Sequence, residues 1–113
     1  MSGALRRFYG DERLYISCLI DFLYDTTMAE LNEAIKKEHW DDAFTAAHAM
    51  KGLAGNMGFI PLMHSVGHLV VLIRGGRIKE IRECMLRVNS SYRDITDAIR
   101  DNFIPSNEQL EGE

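Results

Sequence analysis

Apolar positions in this chain recur at alternating gaps of three and four residues, the pattern of helices that each bury one face. The last stretch is the cleanest: Ile78, Ile81, Met85, Val88, Tyr92, Ile95 and Ile99, with Phe103 one contact further on. Before it, Leu62, Val66, Leu69 and Ile73 form a shorter stripe that Gly75-Gly76 ends, with Pro61 suited to its first turn. Before that, Ala43, Ala47, Met50, Ala54 and Met57 make a third stripe. Trp40-Asp41-Asp42 opens this helix with acids where the N-terminal dipole favours them, and Gly58 stops it. From Glu12 to Lys37 there is no glycine or proline. Leu14, Cys18, Phe22, Leu31 and Ile35 share its apolar face, so the pattern predicts one long helix, bent near Asp25 to Thr27. Residues 4 to 9 suit a short helix ending at Gly10, with Asp11 as N-cap of the long one.

Four long helices with short connections specify an all-α fold, an antiparallel up-down-up-down four-helix bundle with a short N-terminal helix. Its predicted extent is residues 1–104, with residues 105–113 a polar, acidic tail. No strand pattern or internal repeat competes. The 113 residues suit one domain, and the net charge of −4 argues against general nucleic-acid binding, which needs a basic footprint. The longest apolar run, Leu69 to Ile73, is far short of a membrane span. Leu5-Arg6-Arg7-Phe8 leads into acidic residues without a signal-peptide core, so a cytoplasmic location is expected. In that compartment Cys18 and Cys84, far apart in sequence, read as free buried thiols.

The third stripe has an unusual back. At about 100° per residue, His48 and Gly52 point roughly 140° and 180° from the apolar side, Gly55 about 120° and Lys51 roughly 80°, on the flank of His48. A glycine inside a helix costs about 1 kcal/mol relative to alanine. Two on one exposed side suggest that something must approach this surface closely. A neutral imidazole nitrogen is a competent nucleophile near neutral pH and can attack an electrophile such as a phosphoryl group. Lys51, one turn on, offers positive charge to phosphoryl oxygens. An ordinary surface histidine is the plainer reading of the same spacing. Arg74, at the end of its helix, can reach the same rim or simply complement the dipole. His64 and His68 are four apart, half of a metal site, with no further ligand at matching spacing. His39 falls at a loop. Gly75-Gly76 lacks the Lys-Ser/Thr of a phosphate-binding loop, and the central helix has no carboxylate cluster for magnesium. Any metal used in phosphoryl transfer would therefore have to come from a partner.

The stretch Ala47-His48-Ala49-Met50-Lys51-Gly52-Leu53-Ala54-Gly55-Asn56-Met57-Gly58 resembles the signature of histidine-containing phosphotransfer (HPt) domains. That signature has a histidine, lysine at plus three, glycine at plus four, small residues after it and glycine at plus ten. Leu5-Arg6-Arg7-Phe8, Gly10-Asp11-Glu12 and Leu14-Tyr15 also look like the family's lead-in, so the resemblance covers roughly residues 4 to 100. It implies that His48 is phosphorylated on its outer ring nitrogen by the aspartate of one receiver domain and passes the group to the aspartate of another. Lys51 would then stabilise phosphoryl charge and Gly52 would let the receiver approach, with Ala49, Gly55 and Arg74 on the docking face. The implied partners are response-regulator receiver domains and a hybrid histidine kinase. The receiver would bring Mg²⁺, and the chain itself would be a monomeric carrier with no catalytic activity of its own. Many members carry Gln or Glu twenty-two residues after the histidine to orient its ring; here that residue is Val70, beside Val71. The orientation of His48 then has to come from elsewhere, such as water or a backbone carbonyl.

Three other readings stand beside the carrier. One is a module that docks on receivers without transferring phosphate, which Val70 favours. A second is a metal-binding bundle using His64 and His68. The third is a fragment of a chemotaxis-type histidine kinase, whose phosphotransfer domain the Met57-Gly58-Phe59 ending also resembles.

Overall fold

The computed structural model describes residues 12–103, and over these the backbone is almost entirely helical. Five helices succeed one another: α1 (Glu12–Tyr24), α2 (Thr27–Lys36), α3 (Trp40–Met57), α4 (Ile60–Gly75) and α5 (Ile78–Phe103). The predicted helix over residues 4 to 9, the Asp11 expected to cap the long helix, and the tail at 105–113 lie outside the described residues. Neighbours in sequence pack as neighbours in space from α2 to α5, and α1 closes the ring against α5. The result is the expected antiparallel four-helix bundle, with α1 and α2 together forming its first rod.

That rod is broken rather than bent. The Asp25 carboxylate accepts a hydrogen bond from the Thr27 amide at 2.7 Å, while the Asp25 amide reaches the Phe22 carbonyl at 3.2 Å. An aspartate bonding the backbone two residues on offers the chain an alternative to the helix ladder. The β-branched pair Thr26-Thr27 weakens helix propensity at the same point. So one helix stops at Tyr24 and another starts at Thr27.

The apolar face of α1 also differs from the one the spacing predicts. Leu14 is 48% exposed and Cys18 is half-buried; Tyr15, Leu19 and Phe22 are the buried residues. Unbroken gaps of four make each step drift about 40° around a helix, whereas gaps of four and three stay on one side. The stripe of α3 obeys the second rule, and all five predicted residues are buried, with Ala46 added. In α4 the whole predicted set is buried as well. In α5, Ile81, Met85, Val88 and Ile99 are buried and Tyr92 and Ile95 half-buried, but Ile78 is 41% exposed because it begins the helix at the bundle's end.

Helix ends reflect the chemistry of their residues. Gly58 (φ 76°) and Gly76 (φ 67°) take the left-handed conformation that closes α3 and α4. The Phe59 amide then reaches the Ala54 carbonyl at 2.8 Å, and the Arg77 amide reaches Leu72 at 3.2 Å. Phe22 ties α1 to both flanking elements, its ring 5.0 Å from Phe59 and 5.6 Å from Tyr92. Farther along, the Asn32 and Asn89 side-chain amides each donate to the other at 2.9 Å, joining α2 to α5. Cys18 and Cys84 are free; Cys84 is buried, Cys18 only partly so. Burial pushes the Cys84 thiol up from its ordinary value, and its Sγ donates to the Ser65 carbonyl at 3.4 Å.

Candidate functional site

Alanines at 43, 46, 47 and 54 bury the inner side of α3 and let its neighbours come close. That packing fixes what the outer side presents. His48 is exposed there, with Ala49, Lys51 and Gly52 exposed around it. A side chain at Gly52 would meet nothing within 4 Å, so the surface beside the histidine is open.

Gly55 differs from its neighbour. It is half-buried, and a Cβ there would sit 3.2 Å from the Met63 sulfur of α4. Lacking a side chain, Gly55 gives α4 room to approach. A third glycine, Gly67, is one the sequence pattern did not single out. A Cβ at Gly67 would lie 3.6 Å from Cε of Lys51, so the lysine stem runs over the gap that Gly67 leaves in α4. The signal was there to see, a glycine inside a helix with no cap to form. Its partner could be named only once α3 and α4 were side by side.

Arg74, in the last turn of α4, does reach the same rim. Its Cζ lies 5.3 Å from the ring centroid of Phe44, one turn before His48 on α3. The His48 ring in turn stacks on Phe44, with centroids 6.3 Å apart and planes 25° from parallel. Phe44 is the second residue that sequence reasoning passed over, being neither in the buried stripe nor chemically reactive. Neither Lys51 nor Arg74 forms an ion pair with a carboxylate among the described residues. Two cations therefore flank an exposed imidazole. On the other flank, Ala49 lines an open groove of about 610 Å³ between α2 and α3, rimmed by Glu30, Glu33 and Asp42.

Val70 is half-buried and packed on the core. Among the described residues no hydrogen bond reaches the His48 ring. His64 and His68 are both exposed on α4, and among the described residues no group of three or more His, Cys, Asp or Glu side chains could hold a metal ion. No described helix is long and apolar enough to cross a membrane.

Among the described residues, His48 thus stands outward on α3, with Lys51 one turn on, Arg74 over the adjoining Phe44 ring and the bare backbone of Gly52 beside it. The family model of the Hpt domain matches residues 24–101, and the chain belongs to that family. Hpt domains are phosphocarrier modules of two-component systems, and they interact with receiver domains and histidine kinases. Searches of curated proteins and of solved structures return no match.

Proposed function

We propose that this bundle is a phosphorelay intermediate whose carrier is His48. In this reading the outer ring nitrogen, Nε2, attacks the phosphorus of a receiver's aspartyl phosphate with its lone pair. The bond from phosphorus to the aspartate oxygen breaks and returns its electrons to the carboxylate. The same steps in reverse deliver the phosphoryl group to a second receiver, releasing neutral imidazole. Lys51 and Arg74 stabilise phosphoryl charge, and Gly52 leaves clearance for the receiver's loops, with Ala49 and Gly55 on the docking side. The divalent cation is the receiver's to bring, as Mg²⁺, because among the described residues no group of three or more His, Cys, Asp or Glu side chains could hold one. The chain acts as a cytoplasmic monomer, between a hybrid histidine kinase and a response regulator.

The observation that supports this most is the exposed His48 with two cations beside it, neither paired with a carboxylate among the described residues. Such charge suits a dianionic group that arrives and leaves. Incubation with a phosphorylated receiver and Mg²⁺ should place an acid-labile, base-stable label on the bundle, and His48→Gln should take up none. Equal labelling of His48→Gln would overturn the assignment. A docking module without transfer, the reading that Val70 favours, would instead bind the receiver unchanged in His48→Ala and never carry label.

A further inference from the structure

An imidazole that must meet phosphorus in line needs a defined ring plane, because a histidine's outer torsion is broad when nothing restrains it. Hydrogen bonding does not supply that restraint among the described residues, and Val70, half-buried on the core, has no polar side-chain atom to offer. We propose that Phe44 is the positioning residue of His48, and that the same ring holds Arg74 at the site. This rests on the reading of His48 as the phosphoryl carrier.

Phe44 and His48 are four apart on α3, the spacing at which helix side chains lie over one another. Phe44 is partly buried and packed against the core, so its ring is held by its neighbours. What remains uncovered forms a platform for the imidazole, at 6.3 Å and 25°. Aromatic rings pair favourably over centroid distances of about 4.5 to 7 Å. The platform fixes a ring plane while leaving both nitrogens free of a competing acceptor.

Arg74 comes from another helix and has a long, flexible stem. With no carboxylate partner among the described residues, its guanidinium is held against the face of Phe44 at 5.3 Å. One aromatic ring thus gathers a nucleophile from α3 and a cation from α4.

The test uses Phe44→Leu, which keeps bulk but removes the ring, with Phe44→Tyr as the conservative control. In Phe44→Leu the His48 ring protons should lose the shift caused by the adjacent aromatic current. Transfer from a phosphorylated receiver should slow roughly fivefold, the worth of an aromatic pair, with receiver affinity unchanged. Phe44→Tyr should restore both. Arg74→Gln should slow transfer less in the Phe44→Leu background than in the wild type. Unchanged His48 shifts, or wild-type transfer by Phe44→Leu, would overturn the orienting role; additive effects would overturn the tether to Arg74. If the wild-type bundle itself took no label, the carrier reading would fall. The ring shifts and their rescue by Phe44→Tyr would still decide whether Phe44 orients His48.

Discussion

The seam between α3 and α4 and the side where α1 and α2 meet α5 are built on opposite principles. At the first, side chains are removed: Gly55 admits Met63, Gly67 admits the stem of Lys51, and Gly52 faces open space. At the second, the gap is filled by large groups. Phe22 wedges between Phe59 and Tyr92, and a reciprocal amide pair, Asn32 with Asn89, spans a crevice of about 350 Å³. Helices set close by small residues keep a shallow exposed surface, which suits a docking face. Helices held apart need specific bridges, and these set the register of the first rod against the last. On the proposed function, transfer belongs to the first of these sides and not to the second.

The largest effect should come from the buried core of the first rod. Leu31 of α2 is fully buried, and Leu31→Ala should lower unfolding free energy in urea by about 2–5 kcal/mol. Receiver-dependent labelling, normalised to the folded fraction, should stay at the wild-type level; a specific loss of labelling would break the division of roles. Next, Asn32→Ala should cost about 1 kcal/mol by leaving Asn89 half-satisfied. The double variant with Asn89→Ala should cost less than the sum of the two, since a reciprocal pair is lost only once.

On the open side the sign should reverse. Gly52→Ala has space for its methyl group and should raise stability by roughly 0.5–1 kcal/mol while reducing labelling by receivers. Stability and transfer moving together there would contradict the clearance role. Gly55→Ala sharpens the contrast, because the Met63 sulfur must give by a few tenths of an ångström. Methionine is adaptable, so the expected change in melting temperature is close to zero and below that of Gly52→Ala.

The smallest effect belongs to neither side. Glu80 accepts from Arg77 at 2.7 Å, and this bond holds its carboxyl below the usual range. The Lys37 hydrogen bond does the same for Glu33 on α2. A carboxylate with a depressed folded-state pKa adds stability above its unfolded value, near about 4.3, and loses it as the pH falls through the folded one. Thermal melts should therefore fall as the pH drops below about 5, and Glu80→Gln should flatten that slope slightly. Both pairs are exposed, so salt should shrink the difference.

Much of this molecule was legible in the order of its residues, because most of its information is local. Stripes at gaps of three and four name residues of α3 and α4 that are all buried, missing only Ala46 and Leu72, since a helix repeats about every 3.6 residues whatever surrounds it. Gly58, Gly76 and Pro61 mark helix ends through their own backbone preferences. His48 could be placed outward by angle alone, and Lys51 and Gly52 with it. Where local signals compete, the reading shifts. A stripe at gaps of four pointed to Leu14, yet Tyr15 and Leu19 face the core, and the Asp25 side chain turned an expected bend into a break.

Contacts between helices were out of reach, because no spacing along one helix says which residue of another will meet it. The reason Gly55 and Gly67 lack side chains lies in Met63 and Lys51, on the facing helix. The stack of His48 on Phe44, and the arrival of Arg74 over the same ring, also needed the bundle to close. The sequence by itself determined that an exposed histidine stands on a helix beside glycines. Only the tertiary structure decided what surrounds it, because the distance between two helices depends on the smallest side chains along their seam.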